Sequence, residues 1–290
     1  MLRLEAPPAV PLAEALEVWQ REARFGVCDT GRYKANYFVW GQGPPLLFIH
    51  GLADRAKSFV LVMEPLRRHF TCVGYELPDG GADEARLGAY RHRHLVADLF
   101  ALLDHLDMPR SYLFGSSFGS TIALAALAEA PERLPRAVLQ GGFAWRRLAG
   151  WEHFLCSFAR YWRGPMRTFP LRGRLDYPAD VRSFAAVPPE HWTFLKDNTG
   201  DVSKAATARR GLMVPRIDLR PLLPKIKQPV LLVCGDGDCI VPSVCDGPLM
   251  EGLPNVERVE FPKCGHYPQY THAPVLAEVV RRFLTPPGAQ

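Results

Sequence analysis

The sequence predicts an α/β fold: a mostly parallel central sheet flanked by helices, with a helical segment inserted into it. Three observations carry this expectation. Fully apolar runs of strand length recur, as at Pro45-Leu46-Leu47-Phe48-Ile49 and Pro229-Val230-Leu231-Leu232-Val233, and a strand apolar on both faces belongs in a parallel sheet covered by helices. Segments of helical spacing alternate with those runs. At Gly115-Ser116-Ser117-Phe118-Gly119 a strand-type run, Ser111 to Phe114, passes into a helix-type run, Thr121 to Ala130, within a few residues.

Taken in order, Pro11 to Arg24 is predicted helical, with Pro11 suited to the first turn and Leu12, Leu16 and Trp19 on one face. Residues 1–24 are expected to pack on the body as an N-terminal helical arm. Phe25 to Cys28 and Tyr33 to Trp40, around Asp29-Thr30-Gly31-Arg32, form a predicted hairpin. After the Pro45 strand, His50-Gly51 turns the chain sharply and leaves the Leu52 N–H free to face a cleft. A helix over Phe59 to His69, a strand over Phe70 to Tyr75 and a helix over Leu95 to Leu106 follow, then the Gly115–Gly119 turn and a strand at Ala137 to Gln140.

From about residue 144 to 227 strand runs vanish, and aromatic residues appear among arginines and prolines. Trp151, Phe154, Phe158 and Trp162 fall at helical spacing. Two readings are open: these rings build the insertion's own small core, or some of them, with Trp145, line a substrate pocket. The strand pattern resumes at Pro229, and the chain closes with a strand over Val256 to Phe261 and a helix over Val275 to Phe283. The expected division is thus an arm (1–24), a core (25–143 and 228–290) and a helical cap (144–227).

Hydrophobic content of 48% and charged content of 22% describe an ordinary soluble globule that needs neither disulfides nor metals to fold. The net charge of +5 is spread over isolated pairs such as Arg67-Arg68, Arg146-Arg147 and Arg209-Arg210, and is densest at Arg91-His92-Arg93-His94. Scattered charge reads as solvated surface, not as a nucleic-acid stripe. Seven cysteines without a C-x-x-C pair, and without zinc-ligand spacing, read as reduced thiols of a cytoplasmic protein. The N-terminus does not read as a signal peptide, and no apolar run approaches membrane-spanning length. No membrane partner, no nucleic acid and no cofactor are expected, and the chain is expected to be a monomer or homodimer.

The chemistry centres on Gly115-x-Ser117-x-Gly119, a nucleophile-elbow pattern in which a tight strand-to-helix turn exposes the serine hydroxyl. Ser116 and Ser120 flank it, but only Ser117 has glycine at both required offsets. After the next-to-last strand comes Gly235-Asp236-Gly237-Asp238-Cys239-Ile240-Val241-Pro242, and after the last strand Gly265-His266-Tyr267-Pro268. The order Ser…Asp…His, each residue at the carboxyl end of a strand, resembles the α/β-hydrolase family over nearly the whole chain except the arm.

That resemblance implies a triad of Ser117, Asp238 and His266, with Asp238 favoured over Asp236 by the family spacing. It implies an oxyanion hole from the backbone N–H groups of Leu52 and Phe118 on the His50-Gly51 loop and the elbow. His50, Gly51, Trp145, Phe154, Phe158, Trp162 and Tyr267 are the candidate substrate contacts, His50 being expected chiefly to orient its loop. The chain departs from the family pattern at Glu76-Leu77-Pro78-Asp79-Gly80-Gly81, Ser116, Ser120 and His272. A serine at the elbow also argues against branches of the fold that use aspartate there, such as haloalkane dehalogenases and epoxide hydrolases. The implied activity is cofactor-free hydrolysis of a small to medium, apolar carboxylic ester through an acyl-enzyme. Carbon–carbon bond hydrolysis or acyl transfer by the same triad, and a non-catalytic ligand-binding role, are the alternatives.

Overall fold

In the computed structural model of the chain, the described residues are 8–81, 86–170, 172 and 178–285. The start of the predicted arm, residues 1–7, lies outside them, as does part of the insertion. Among the described residues eight strands form one sheet in the order β1-β2-β4-β3-β5-β6-β7-β8. They are β1 Arg24–Asp29, β2 Lys34–Trp40, β3 Pro45–Ile49, β4 Thr71–Tyr75, β5 Tyr112–Ser116, β6 Ala137–Gln140, β7 Val230–Gly235 and β8 Val256–Phe261. The β1–β2 and β2–β4 pairings are antiparallel and all others are parallel. The sheet is therefore mostly parallel, as the apolar runs predict.

Alternating side chains make each buried strand feed two cores. On one face Phe48, Phe114, Val138 and Leu231 pack with the apolar stripes of α1 (Leu12–Glu22), α2 (Val60–Leu66) and α11 (Ala273–Leu284). On the other, Leu47, Leu113, Leu139 and Leu232 pack with α3 (His92–His105), α4 (Phe118–Glu129) and α9 (Asp246–Gly252). Helix α9 escapes sequence reading because Gly247, Pro248 and Gly252 signal a loop; buried Leu249 holds it against the sheet. Helix α3 starts three residues before its predicted start, with His94 Nδ1 accepting the Arg91 N–H where an acidic cap would be usual.

Between β6 and β7 the chain leaves the sheet for α5 (Gly150–Ala159), α6 (Pro178–Phe184), α7 (Pro189–Gly200) and α8 (Lys204–Met213); the short α10 (Pro268–Thr271) precedes α11. Helices α5 and α8 pack together around Ala159, Phe169 and Ala208, bordered by Leu155, Cys156 and Met166. Trp151, Phe154, Phe158 and Trp162 do not form that small core, since all four are exposed. All seven cysteines are free thiols, and no helix among the described residues is long and apolar enough to cross a membrane.

Candidate active site

Strand β5 runs into α4 through Ser117, whose backbone stands at φ 52° and ψ −119°. A non-glycine residue held there stores about 1–3 kcal/mol. The turn is possible because of its glycines: a Cβ on Gly115 would lie 2.8 Å from the Gly119 carbonyl oxygen, and one on Gly119 would lie 2.3 Å from that of Ile49. The Ser117 N–H donates to the Gln140 carbonyl at 2.8 Å, which ties the turn to β6. The neighbouring serines are engaged elsewhere. Ser116 Oγ accepts from Gln140 Nε2 at 2.9 Å, and Ser120 Oγ donates to the Ser117 carbonyl at 2.6 Å. Ser117 alone of the three is only partly buried.

The loops after β7 and β8 bring Asp238 to His266, with 2.6 Å between Oδ2 and Nδ1. The other Asp238 oxygen accepts the N–H groups of Ile240 and Val241 at 2.9 and 2.8 Å, which fixes the carboxylate's direction. Asp236 has a different task. Its carboxylate accepts the N–H groups of Lys263 and Cys264 and so fastens one loop to the other. Burial pushes the Asp238 carboxyl up, but the charge and hydrogen bond of His266 outweigh it and hold the group below its usual range. For His266 burial pulls down, yet Asp238, by charge and hydrogen bond, and then Asp180 raise it above the ordinary imidazole value.

The His50-Gly51 loop lies against the elbow: a Cβ on Gly51 would be 3.4 Å from Ser117 Cβ. Leu52 and Phe118 both line the cavity that holds Ser117 and His266. His50 does not line it. Buried, its Nε2 accepts the Leu77 N–H at 3.0 Å, which leaves Nδ1 as the donor to the Gly51 carbonyl at 2.8 Å. Burial lowers its pKa and keeps the ring neutral, as that arrangement requires. His50 therefore braces the loop and stands off the cavity wall where a substrate contact was expected.

The cavity holds about 290 Å³ and is walled mainly by Phe143, Leu148, Leu155, Phe169, Val214 and Val241. Gly51 and Tyr267 lie on it, the Tyr267 ring 5.2 Å from that of His266. Trp145, Phe154, Phe158 and Trp162 do not. With roughly 100° of turn per residue, Trp151, Leu155 and Ala159 form the inward face of α5, and the Phe154-Phe158 pair is rotated out to solvent. Trp162 rests on Phe169, and Trp145 lies under the guanidinium groups of Arg220 and Arg147. The pattern of large aromatics misleads because, Trp151 apart, the inward face uses smaller side chains.

Four residues near the site carry no motif. Gly141, at φ 52°, leaves room for His266, since a Cβ there would stand 2.9 Å from the ring; the Gly141-Gly142 pair directly after a strand is a usable signal. Asp180 on α6 accepts the His266 backbone N–H. Asp54 lines the cavity, and burial, against hydrogen bonds from the Arg55 N–H and Tyr270, pushes its carboxyl to about 7. Arg210 on α8 is buried and donates to the carbonyls of Leu52, Leu77 and Pro78. That corrects the surface reading of the Arg209-Arg210 pair. Only tertiary packing distinguishes such a cation from a solvated one.

Among the described residues no group of three or more His, Cys, Asp or Glu side chains is placed to hold a metal ion. What the geometry offers is a serine and a carboxylate-held imidazole at one apolar cavity, with Leu52 and Phe118 on its wall.

Comparison with known proteins agrees with this architecture. The family model described as alpha/beta hydrolase fold matches residues 44–273. The chain is 28% identical over 242 residues to the pimeloyl-[acyl-carrier protein] methyl ester esterase of Nitrosomonas europaea, covering 79% of this chain and 90% of the relative. It is 28% identical over 282 residues to the 2-hydroxymuconate semialdehyde hydrolase of Pseudomonas putida, covering 87% of this chain and 91% of the relative. Among solved structures, a thermophilic esterase from Thermogutta terrifontis superposes with a TM-score of 0.78 at 21% identity, covering 90% of this chain and 98% of that one. The chain belongs to the alpha/beta hydrolase fold family and is an enzyme of the hydrolase class.

Proposed function

We propose that this hydrolase cleaves a small to medium, apolar carboxylic ester through an acyl-enzyme on Ser117. The observation that carries the reading is the meeting, at one apolar cavity, of the strained serine and the Asp238-held imidazole of His266. A serine hydroxyl is a weak nucleophile and must lose its proton as it attacks. His266 takes that proton through Nε2 and returns it to the departing alcohol. Asp238 fixes the tautomer and stabilises the imidazolium without being protonated itself. The N–H groups of Leu52 and Phe118 receive the oxyanion, each worth about 10²–10³ in turnover. Water, activated by the same imidazole, then releases the acid.

The size and apolar walls of the cavity support a small to medium acyl or alcohol group. Names borne by relatives, one of them a methyl ester esterase, support the ester class. Helices α5 and α8 act as a cap that closes the cavity over the elbow, with Trp151 at its wall. No cofactor, nucleic acid or membrane enters this scheme. Carbon–carbon bond hydrolysis is the second reading, favoured by the likeness to the Pseudomonas putida hydrolase. Turnover of a panel of neutral esters and vinylogous diketones, with Ser117→Ala as control, separates the two. Ester turnover that exceeds diketone turnover and vanishes in the variant supports the first; the reverse preference supports the second.

A further inference from the structure

The densest basic run of the sequence, Arg91-His92-Arg93-His94, takes no part in the chemistry at Ser117. In the fold it opens α3. There Arg91 and Arg93 face Arg160, just past α5, together with Arg209 and Arg216 from α8 and the turn after it, around a cleft of about 400 Å³. Among the described residues no Asp or Glu lines this cleft. Among the described residues the Arg91 guanidinium bonds only to the backbone carbonyls of Gly88 and Tyr90, and Arg160 rests on the Tyr161 ring with its buried Nε lacking a hydrogen-bond partner among them.

Local stability argues against such an arrangement. Cations in the first turn oppose the helix dipole, and α3 has no acidic residue there to offset them. Like charges gathered from three separate segments also repel, raising the local potential. A conflict of this kind between local preference and fold marks a place kept for function. One helix divides this cleft from the serine cavity: Thr207, Ala208 and Gly211 of α8 face Ser117, and Arg209, Leu212 and Met213 face the arginines. The separation is about one helix diameter, roughly 10 Å.

We propose that this cleft is a second ligand site, one that holds the phosphate group of a soluble phosphate-bearing molecule. Guanidinium forks match phosphate oxygens two at a time, and a helix N-terminus adds backbone donors of the same polarity. The cleft volume suits a small phosphorylated compound.

Calorimetric titration of the full chain with inorganic pyrophosphate at low salt tests the site. Saturable one-site binding that weakens as salt is added is the expected result. The double variant Arg209→Gln, Arg216→Gln should weaken it by about tenfold or more, the loss expected for charge-assisted hydrogen bonds. Turnover of a neutral ester by that variant should stay unchanged. Ser117→Ala should bind pyrophosphate like the parent, so the test is independent of the ester reading. Should the double variant lose its fold, Arg93→Gln at an exposed position gives the same comparison. Absence of saturable binding, or binding that the substitutions leave intact, overturns the proposal. Binding to vesicles of phosphatidylcholine with phosphatidic acid, with none to pyrophosphate, also overturns it and assigns the arginines to a lipid headgroup.

Discussion

Asp180 reaches from the inserted segment into the loop that carries the imidazole: its Oδ1 accepts the His266 backbone N–H at 2.5 Å. Its Oδ2 accepts from Cys239 Sγ at 3.6 Å, beside Asp238. One buried carboxylate on α6 thus holds both loops of the proposed acid–base pair, and Gly265 is required beside it, since a Cβ there would meet Asp180 Oδ1. Asp180 is a positioning residue in this scheme.

Replacing Asp180 by Ala should lower kcat by about 10- to 100-fold with a smaller change in KM, because misplacement of a catalytic group by an ångström has that effect. Asp180→Asn keeps an acceptor and should recover most of the rate. It also removes one of the charges that raise His266, so its acid limb should move to lower pH. Steady-state kinetics over a pH series read all three effects. Equal loss in both variants with an unmoved limb contradicts the positioning role.

The pH dependence of the parent follows from the direction of the His266 shift. The imidazole must be neutral to accept the Ser117 proton, and its pKa is raised, so kcat/KM should fall as pH drops through an inflection above the ordinary value of 6.5. Asp238→Asn removes the charge that does most to raise it, so the inflection should move down. The variant should also lose about 10⁴ in kcat, as expected when the imidazole is no longer held in its working tautomer. A pH–rate profile of both forms checks the sign.

The backbone of Ser117 should be measurably costly to the fold. Ser117→Gly relieves the positive-φ conformation and Ser117→Ala does not. Strain of about 1–3 kcal/mol exceeds the unfolded-state entropy that glycine forfeits, about 0.4–1 kcal/mol. Denaturant unfolding should therefore show the inactive glycine variant to be more stable than the alanine variant, by about 1 kcal/mol at the middle of these ranges.

Arg210 joins the insertion to the loop that bears Leu52. Arg210→Met leaves the Leu52, Leu77 and Pro78 carbonyls without this donor. Buried unsatisfied acceptors cost about 1–3 kcal/mol each, so stability should drop by several kcal/mol. Activity should fall even where the variant remains folded, because the Leu52 peptide loses its anchor. Thermal unfolding, and kinetics below the transition, measure the two effects separately.

What was legible in the sequence is what depends on local rules. The buried strands announce themselves because a side chain such as Phe48 or Leu47 must be apolar on either face of a covered sheet. Ser117 is legible because only glycine fits at 115 and 119, and the Asp238 and His266 loops because each directly follows a strand. The insertion was not legible at the level of single side chains. Phe154 and Phe158 sit on α5 at helical spacing yet face solvent, and Leu155 and Ala159 face the cavity. Asp180, Asp54 and Arg210 lie near the site through contacts between segments far apart in sequence, where neither spacing nor composition carries a signal.

The most direct test of a nucleophilic serine at the elbow is covalent labelling by a fluorophosphonate probe, read by peptide mass spectrometry. The expected result is a single phosphonylated peptide modified at Ser117, absent in Ser117→Ala and strongly slowed in His266→Ala. Failure to label the folded chain, or labelling that persists when Ser117 is replaced, would contradict the proposed mechanism.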